Sequence, residues 1–459
     1  MAGWKRLVQV CQLWRQIIYG SPQYLDLHIS CSVAVPFRKN LNCWPEFPLS
    51  LCYSICPNKD EEVNDLIAAL EHRNRVHHLN LHIGSWDSES RVYEVLEKMQ
   101  VSFPVLTDLE LEGPDMDHEA EVYDISNNFL GNTAPCLQYL RLGGISFQEL
   151  PELLLSASGL VSLQLNDIPE DGCISPEAMV GGLAGLTSLR TLCIEFRSLD
   201  ELSDEVLEEE RHLDPPMRPV LPALAEFVFR GESKYLEDLV ARIDMPSVED
   251  IKIEYFRVPP WSNVPQHSQF IDRTAGLELA QFRHAQVIFG HMHSQIQLDR
   301  PQGERHQLHF SLGGEIIVSD TCRGSDLDLL VPRMTRVLGQ LTALLSNVGH
   351  LSLDTYTYWP EEINHLDNSK LLPLLHLFPT VEELRVSLPL VATIKTVLEN
   401  IAEERIAEVM PALRSLQLGD GNHEPVEPPE RFLSFRDLSG HPVTIVNINT
   451  QDQVGPSEE

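Results

Sequence analysis

Leu106-Thr107-Asp108-Leu109-Glu110-Leu111 is the stretch on which the fold turns. Its form is apolar-x-x-apolar-x-apolar. The form returns as Leu137-Gln138-Tyr139-Leu140-Arg141-Leu142, Leu160-Val161-Ser162-Leu163-Gln164-Leu165 and Leu413-Arg414-Ser415-Leu416-Gln417-Leu418. Alternation of apolar and polar residues at the end of each copy is the period of a strand with one buried face. Working outward, the first apolar position falls at Val76, Leu106, Leu137, Leu160, Leu189, Leu224 and Val248, then at Val348, Val381 and Leu413. Most copies follow a turn signal, as at Phe103-Pro104, Ala134-Pro135, Leu221-Pro222, Met245-Pro246 and Met410-Pro411. The interval between Val248 and Val348 has room for two degenerate copies, Phe282 to Phe289 and Leu308 to Leu312.

Between the strand motifs lie helical patterns. Asp60 to Arg75 carries Val63, Leu66, Ile67 and Leu70 on one face, with Asn58 or Asp60 as cap. Ser175-Pro176-Glu177 opens another helix, with Ser as cap and Pro at the first helical position. Further helices are expected over Ser233–Ile243, Ser325–Val348 and Val391–Val409, with Pro332 starting, ending or kinking the second of these. A strand plus a helix every few tens of residues is the signature of leucine-rich repeats. The expected fold is therefore α/β: an irregular leucine-rich-repeat solenoid, a curved parallel sheet with helices on its convex side. The competing reading is an ordinary α/β sheet whose strands share a Leu-x-Leu pattern. The asparagine that often follows the motif is absent, with Ile145 and Ile168 in the comparable places, as in the irregular repeats of intracellular adaptors.

Composition narrows the function classes. The 459-residue chain is 43% hydrophobic, enough for a packed core. Its formal net charge of −34 repels phosphate backbones and anionic lipids, so neither nucleic acid nor a membrane surface is an expected partner. No apolar run reaches the ~18–20 residues of a membrane span. The nine cysteines are odd in number and scattered, which reads as buried free thiols in a reducing compartment, cytoplasm or nucleus.

The N-terminal stretch adds a resemblance. Trp4-Lys5-Arg6-Leu7-Val8-Gln9-Val10-Cys11-Gln12-Leu13-Trp14-Arg15-Gln16-Ile17 looks like the C-terminal half of an F-box, built around Val-Cys-x-x-Trp-Arg, and Tyr19 to Leu27 resembles the passage into a first repeat strand. Leu66 to Val76, Ile174 to Met179 and Tyr235 to Asp244 are similar to a large family of F-box and leucine-rich-repeat proteins of mushroom-forming fungi. The likeness fades after about Gly419. It implies a non-enzymatic adaptor, the substrate-recognition subunit of a Skp/cullin-type ubiquitin ligase. Trp4, Leu7, Val8, Val10, Cys11, Trp14, Arg15 and Ile17 would then meet the Skp adaptor. The leading Leu-Pro-x-Glu half of the box does not precede Met1, so either the start codon is misassigned or adaptor binding has been lost. The helical segment also reads as a plain amphipathic cap on the first repeat. The domain plan that follows is a box remnant over 1–22, a repeat array over 23–420 that is degenerate at 255–345, and a C-terminal cap and acidic tail over 421–459. The alternative function is a free-standing repeat scaffold with no ligase; a hydrolase within 255–345 is a third class.

Other chemistry finds no pattern. His77, His78 and His82, and the set His291, His293, His306 and His309, lack the i, i+4 spacing with glutamate of a zinc hydrolase. His78 and His82 would sit about 13 Å apart along one strand. Cys43, Cys52 and Cys56 have no fourth ligand nearby, and Gly181-Gly182-Leu183-Ala184-Gly185 has no following Lys-Ser/Thr for a phosphate, which leaves close helix packing. Neither a metal nor a cofactor is expected. The acidic run Asp200–Asp214 reads as a solvated loop.

A protein partner is expected on the concave face, where residues between the core leucines point outward. These are Asp108, Glu110 and Glu112, then Tyr139 and Arg141, then Gln164 and Asn166, followed by Glu195, Glu226, Arg230, Asp250, Lys252 and Glu254. Asp354, Glu383 and Arg385 appear later in the chain. Acidic residues outnumber basic ones in this set, which predicts a basic or neutral protein segment as ligand and disfavours a phosphopeptide, which would need clustered arginines.

Overall fold

The computed structural model describes residues 10–20, 28–38, 47–56, 59–84, 89–114, 122–197, 218–255, 269–270, 273–274, 282–289, 293–299, 315–321, 327–355, 368–401, 405–406, 408–419 and 427–446. The chain is a mixed α/β protein in two compact units, Met1–Leu224 and Ala225–Glu459. Trp4, Leu7, Val8, Cys43, Asn58, the Asp200–Asp214 run, Leu308–Leu312, His291, His306 and His309 lie outside the described residues.

In the first unit seven strands form a parallel sheet: β1 (Ile29–Ser32), β2 (Leu49–Ile55), β3 (Val76–Ile83), β4 (Asp108–Glu112), β6 (Tyr139–Gly143), β8 (Ser162–Ile168) and β9 (Thr191–Phe196), paired in that order. A small side ribbon pairs β5 (Tyr123–Asp124) with β7 (Ile145–Ser146). Register places Cys31, Leu51, Leu79, Leu109, Leu140, Leu163 and Leu192 in one row across the sheet. Every member of that row is buried. A second row runs Tyr53, Leu81, Leu111, Leu142, Leu165 and Ile194, also buried. The core is thus a stack of identical strand positions, which is why the apolar motif repeats.

Eight of the strands are entered through the same device. The amide of the first apolar residue donates to the carbonyl three residues back: Leu106 to Phe103, Leu137 to Ala134, Leu160 to Ala157 and Leu189 to Leu186. The first unit ends on another, Leu224 to Leu221, and the second unit repeats it with Val248 to Met245, Val348 to Leu345 and Leu413 to Met410. A tight turn that buries its last residue needs an apolar side chain there, and all eight are buried.

The helical connections follow the sequence with local corrections. The first expected helix is Asp60–Leu70; its cap position is Lys59, whose side chain makes no capping bond, and Asp60 is already helical. Asp60, Glu61 and Glu62 instead place negative charge at the helix start. Ser175 does cap Pro176–Leu183, its hydroxyl accepting the Ala178 amide at 3.3 Å. Of the glycine run, only Gly182 is a packing glycine: a Cβ there would lie 2.9 Å from Pro151 Cα, whereas Gly181 and Gly185 face open space. Helices also span Ser233–Ala241, Leu327–Leu338, with Pro332 inside it, and Leu388–Asn400, which starts three residues earlier and ends nine earlier than the pattern predicts.

The second unit departs from a simple repeat. Its strands are β10 (Glu226–Gly231), β11 (Asp250–Tyr255), β12 (His284–Phe289), β13 (His293–Asp299), β14 (Glu315–Thr321), β15 (His350–Thr355), β16 (Glu383–Val386), β17 (Ser415–Leu418) and β18 (Thr444–Val446). Their order is β10-β11-β14-β13-β12-β15-β16-β17-β18. β13 runs antiparallel to both neighbours, whereas every other pairing is parallel. Within 255–345 the reversed β13 stands between β14, parallel to β11, and β12, parallel to β15; of the two copies expected there, Leu308–Leu312 lies outside the described residues. Phe282–Phe289 does supply a parallel strand, with Ala285 and Val287 buried, but it reaches β11 only through the reversed strand. Within the expected C-terminal cap, β18 adds beside β17.

The thiols also need correction. Cys31 and Cys193 are buried, but Cys11, Cys52, Cys136 and Cys173 are exposed and Cys56 is half-buried. Cys52 lies between the core positions Leu51 and Tyr53, so the strand's alternation turns it outward.

Among the described residues no helix is long and apolar enough to cross a membrane.

Candidate functional site

All thirteen residues expected on the outward face, from Asp108 to Glu254, are half-buried or exposed, on strands whose alternate residues are buried. Six of them converge. Asp108, Glu110, Tyr139, Arg141 and Gln164 line an open depression of about 350 Å3, and Glu112 joins them through Arg141. The Arg141 guanidinium reaches Glu110 Oε1 at 3.5 Å and Glu112 Oε1 at 3.0 Å. Tyr139 stands directly beside Asp108 in the strand register and keeps 47% of its surface exposed.

Three further residues of this depression, His78, Asn80 and Ser162, were not in the expected set. His78 Nδ1 lies 2.9 Å from Asp108 Oδ2, and the Asn80 amide donates to Glu110. Their signal was present in the β3 alternation, where His78, Asn80 and His82 leave the same face as Asp108, Glu110 and Glu112 one strand over. Among the described residues no three His, Cys, Asp or Glu side chains are grouped to hold a metal ion.

Asn166 continues the Glu112 row through Gly143, its Oδ1 accepting the Cys193 thiol at 3.4 Å, but the row breaks beyond it. The register slips between Leu165 and Ile168, where Asp167 has φ +53° and Arg197 grips its carboxylate at 3.1 Å. Glu195 follows that slip and is out of line with Asn166. In the second unit Glu226 pairs in register with Asp250, and Arg230 with Glu254, whose carboxylate it meets at 3.4 Å. Lys252 stands between Asp250 and Glu254 on β11. The intervening β14, β13 and β12 separate this group from Asp354, Glu383 and Arg385.

The pairing changes the electrostatics of the first-unit group. One guanidinium is shared by two carboxylates, and Asp108 holds only an imidazole, so the group stays net negative while His78 is neutral. Two of the four cations of the expected set, Arg141 and Arg230, are occupied by acids of the same face.

The N-terminal segment forms the helix Gln12–Tyr19, with exposed Cys11 at its cap position. Its apolar side chains are mostly in water: Leu13 is 63% exposed, Trp14 46% and Ile17 53%, and Val10, just before the helix, is 65% exposed. Within the helix only Ile18 is buried, while the Tyr19 ring meets Phe47 edge-on at 5.3 Å. A cap would bury its apolar stripe, and this helix leaves Leu13, Trp14 and Ile17 outside. Arg15 is exposed as well.

No protein-family model matches the chain, and comparison with curated proteins finds no match.

Proposed function

We propose that the chain is a non-enzymatic, protein-binding adaptor of the leucine-rich-repeat type, with its N-terminal helix docking a Skp-type adaptor of a cullin ubiquitin ligase. The observation that carries this reading is the exposure of Leu13, Trp14 and Ile17 on a helix anchored by Ile18, with Val10 exposed just before it. Water-exposed apolar side chains clustered on one short helix are an unfavourable surface unless a partner covers them. Parallel strands with a recurring entry turn and helical connections support a repeat architecture, a solenoid whose open face presents a partner. The Asp108, Glu110, Glu112 and Tyr139 group supports a basic or neutral protein segment as that partner, because its residual charge is negative and its aromatic ring is free to cover an apolar or cationic side chain.

Co-purification with a Skp adaptor, for this chain and for a form extended upstream of Met1, tests the docking half. Binding by neither form removes the ligase connection. The sheet face on its own favours the second reading, a free-standing scaffold, since the groups around Asp108 need no ligase to hold a partner. Partner lifetime that does not respond to cullin inhibition, with partner binding intact, selects that reading.

A further inference from the structure

The open face of the second unit carries an arrangement unlike the acidic group of the first. Arg385 on β16 is exposed and forms no ion pair among the described residues. Two residues on, Ser387 leaves the same face of the chain and is 6% exposed, and its Oγ meets no hydrogen-bond partner among the described residues. Gln417 stands opposite Arg385 in the register of β16 and β17, and its Nε2 is likewise buried without a partner. All three line one open depression of about 770 Å3. Unsatisfied buried polar atoms are rare, and the Gln417 amide, the Ser387 hydroxyl and the Arg385 guanidinium can all donate to one oxygen acceptor.

The backbone adds to this. Ser387 is the cap residue of the thirteen-residue helix Leu388–Asn400, and its side chain makes no capping bond. A helix start concentrates partial positive charge, and a hydroxyl not used for capping is free to donate outward. The three carboxylates that line the same depression, Asp299, Asp354 and Glu383, are already engaged, Asp299 by Gln297 Nε2 at 3.3 Å. Asp354 accepts Gln286 Nε2 at 2.7 Å and Ser352 Oγ at 2.8 Å, and Glu383 holds His350 Nδ1 at 2.8 Å. None of the three claims Arg385.

We propose that Arg385, Gln417 and Ser387 form a binding site for a carboxylate group presented by a peptide. The guanidinium fork matches the two carboxylate oxygens, and the amide and hydroxyl supply further donors. A single negative charge suits the place, because Asp354 and Glu383 oppose a dianionic phosphate at close range. The carboxylate comes from an acidic side chain or from a chain terminus; both present the same chemistry. The site stands independently of the adaptor reading.

The test uses the full chain with 15N-labelled arginine and glutamine side chains, followed by NMR. The probes are acetate, inorganic phosphate, a short alanine peptide with a free C-terminus, and an amidated alanine peptide carrying one glutamate. Acetate and at least one peptide should give saturable shifts at Arg385 Nε–H and the Gln417 amide, and the responding peptide identifies the source. Arg385→Gln, at an exposed position, should abolish the response, and Ser387→Ala should weaken it roughly ten-fold. No saturable shift with acetate, an equal response in Arg385→Gln, or tighter binding of phosphate than of acetate would overturn the assignment.

Discussion

The imidazole rings of His284 and His350 stack across neighbouring parallel strands, with centroids 4.5 Å apart and planes inclined by 16°. Asp299 flanks His284 on the antiparallel side, and Glu383 flanks His350 on the other, so acid, imidazole, imidazole and acid follow one another across four strands. Loss of water from the stacked ring, and then the neighbouring His350, hold the His284 imidazole below the ordinary histidine range of 6.5; Arg283 pushes the same way, while Asp299 and Glu383 oppose the shift.

This has a pH consequence with a definite sign. Between the lowered folded value of His284 and the unfolded value near 6.5, the unfolded chain binds more protons, so stability rises with pH in that window. The contribution is neutral above it and turns unfavourable on acidification. Urea midpoints near pH 5 and near pH 7.5 should differ less in His284→Gln than in the wild type. An unchanged difference contradicts the stacking account.

The Asp65 carboxylate is the polar anchor of the first unit. It is buried and accepts the Tyr53 hydroxyl at 2.7 Å, the Phe37 amide at 2.6 Å and the Arg38 amide at 3.0 Å. Burial, and then this bond, push the Tyr53 phenol well above its usual value. Asp65→Ala leaves three donors without an acceptor and should cost about 3 kcal/mol, read as a lowered denaturation midpoint. Asp65→Asn keeps one acceptor and should cost less. Equal loss in both variants would mean that packing, not hydrogen bonding, dominates at this position.

Glu110 separates stability from partner capture. Its link to Arg141 is half-exposed, so Glu110→Gln should change stability by less than about 1 kcal/mol. The same change removes one of the negative charges around Tyr139. Association with a basic partner segment should slow, more at low salt than at high salt. Reversing Asp108, Glu110 and Glu112 together to lysine is the coarser experiment, because it also strands Arg141 among like charges. An association rate for Glu110→Gln equal to wild type at low salt argues against electrostatic capture here.

The repeated strand was legible because its burial is periodic. Leu109, Leu140 and Leu163 occupy one sheet row, and a two-residue period marks both that row and the outward residues between its members. The reversal at β13 was not legible, since His293–Asp299 alternates in the same way whether it runs parallel or antiparallel. Residue type alone does not settle capping: Ser175 caps its helix, whereas Ser387, equally suited, makes no capping bond. Arg385 and Gln417 escaped attention as a pair because the register that sets them side by side joins residues 32 positions apart.

The central claim rests on the helix Gln12–Tyr19, and the direct measurement is the affinity of a purified Skp-type adaptor for this chain and for Trp14→Ala. A large aromatic side chain at the centre of an interface is typically worth about 2 kcal/mol or more, roughly thirty-fold in Kd. Trp14 is 46% exposed in the free chain, so its removal should leave the circular dichroism spectrum and denaturation midpoint nearly unchanged. The account predicts saturable binding to the wild type and a loss of that size in the variant. Equal affinity for both, or no binding to the chain with or without upstream extension, contradicts it.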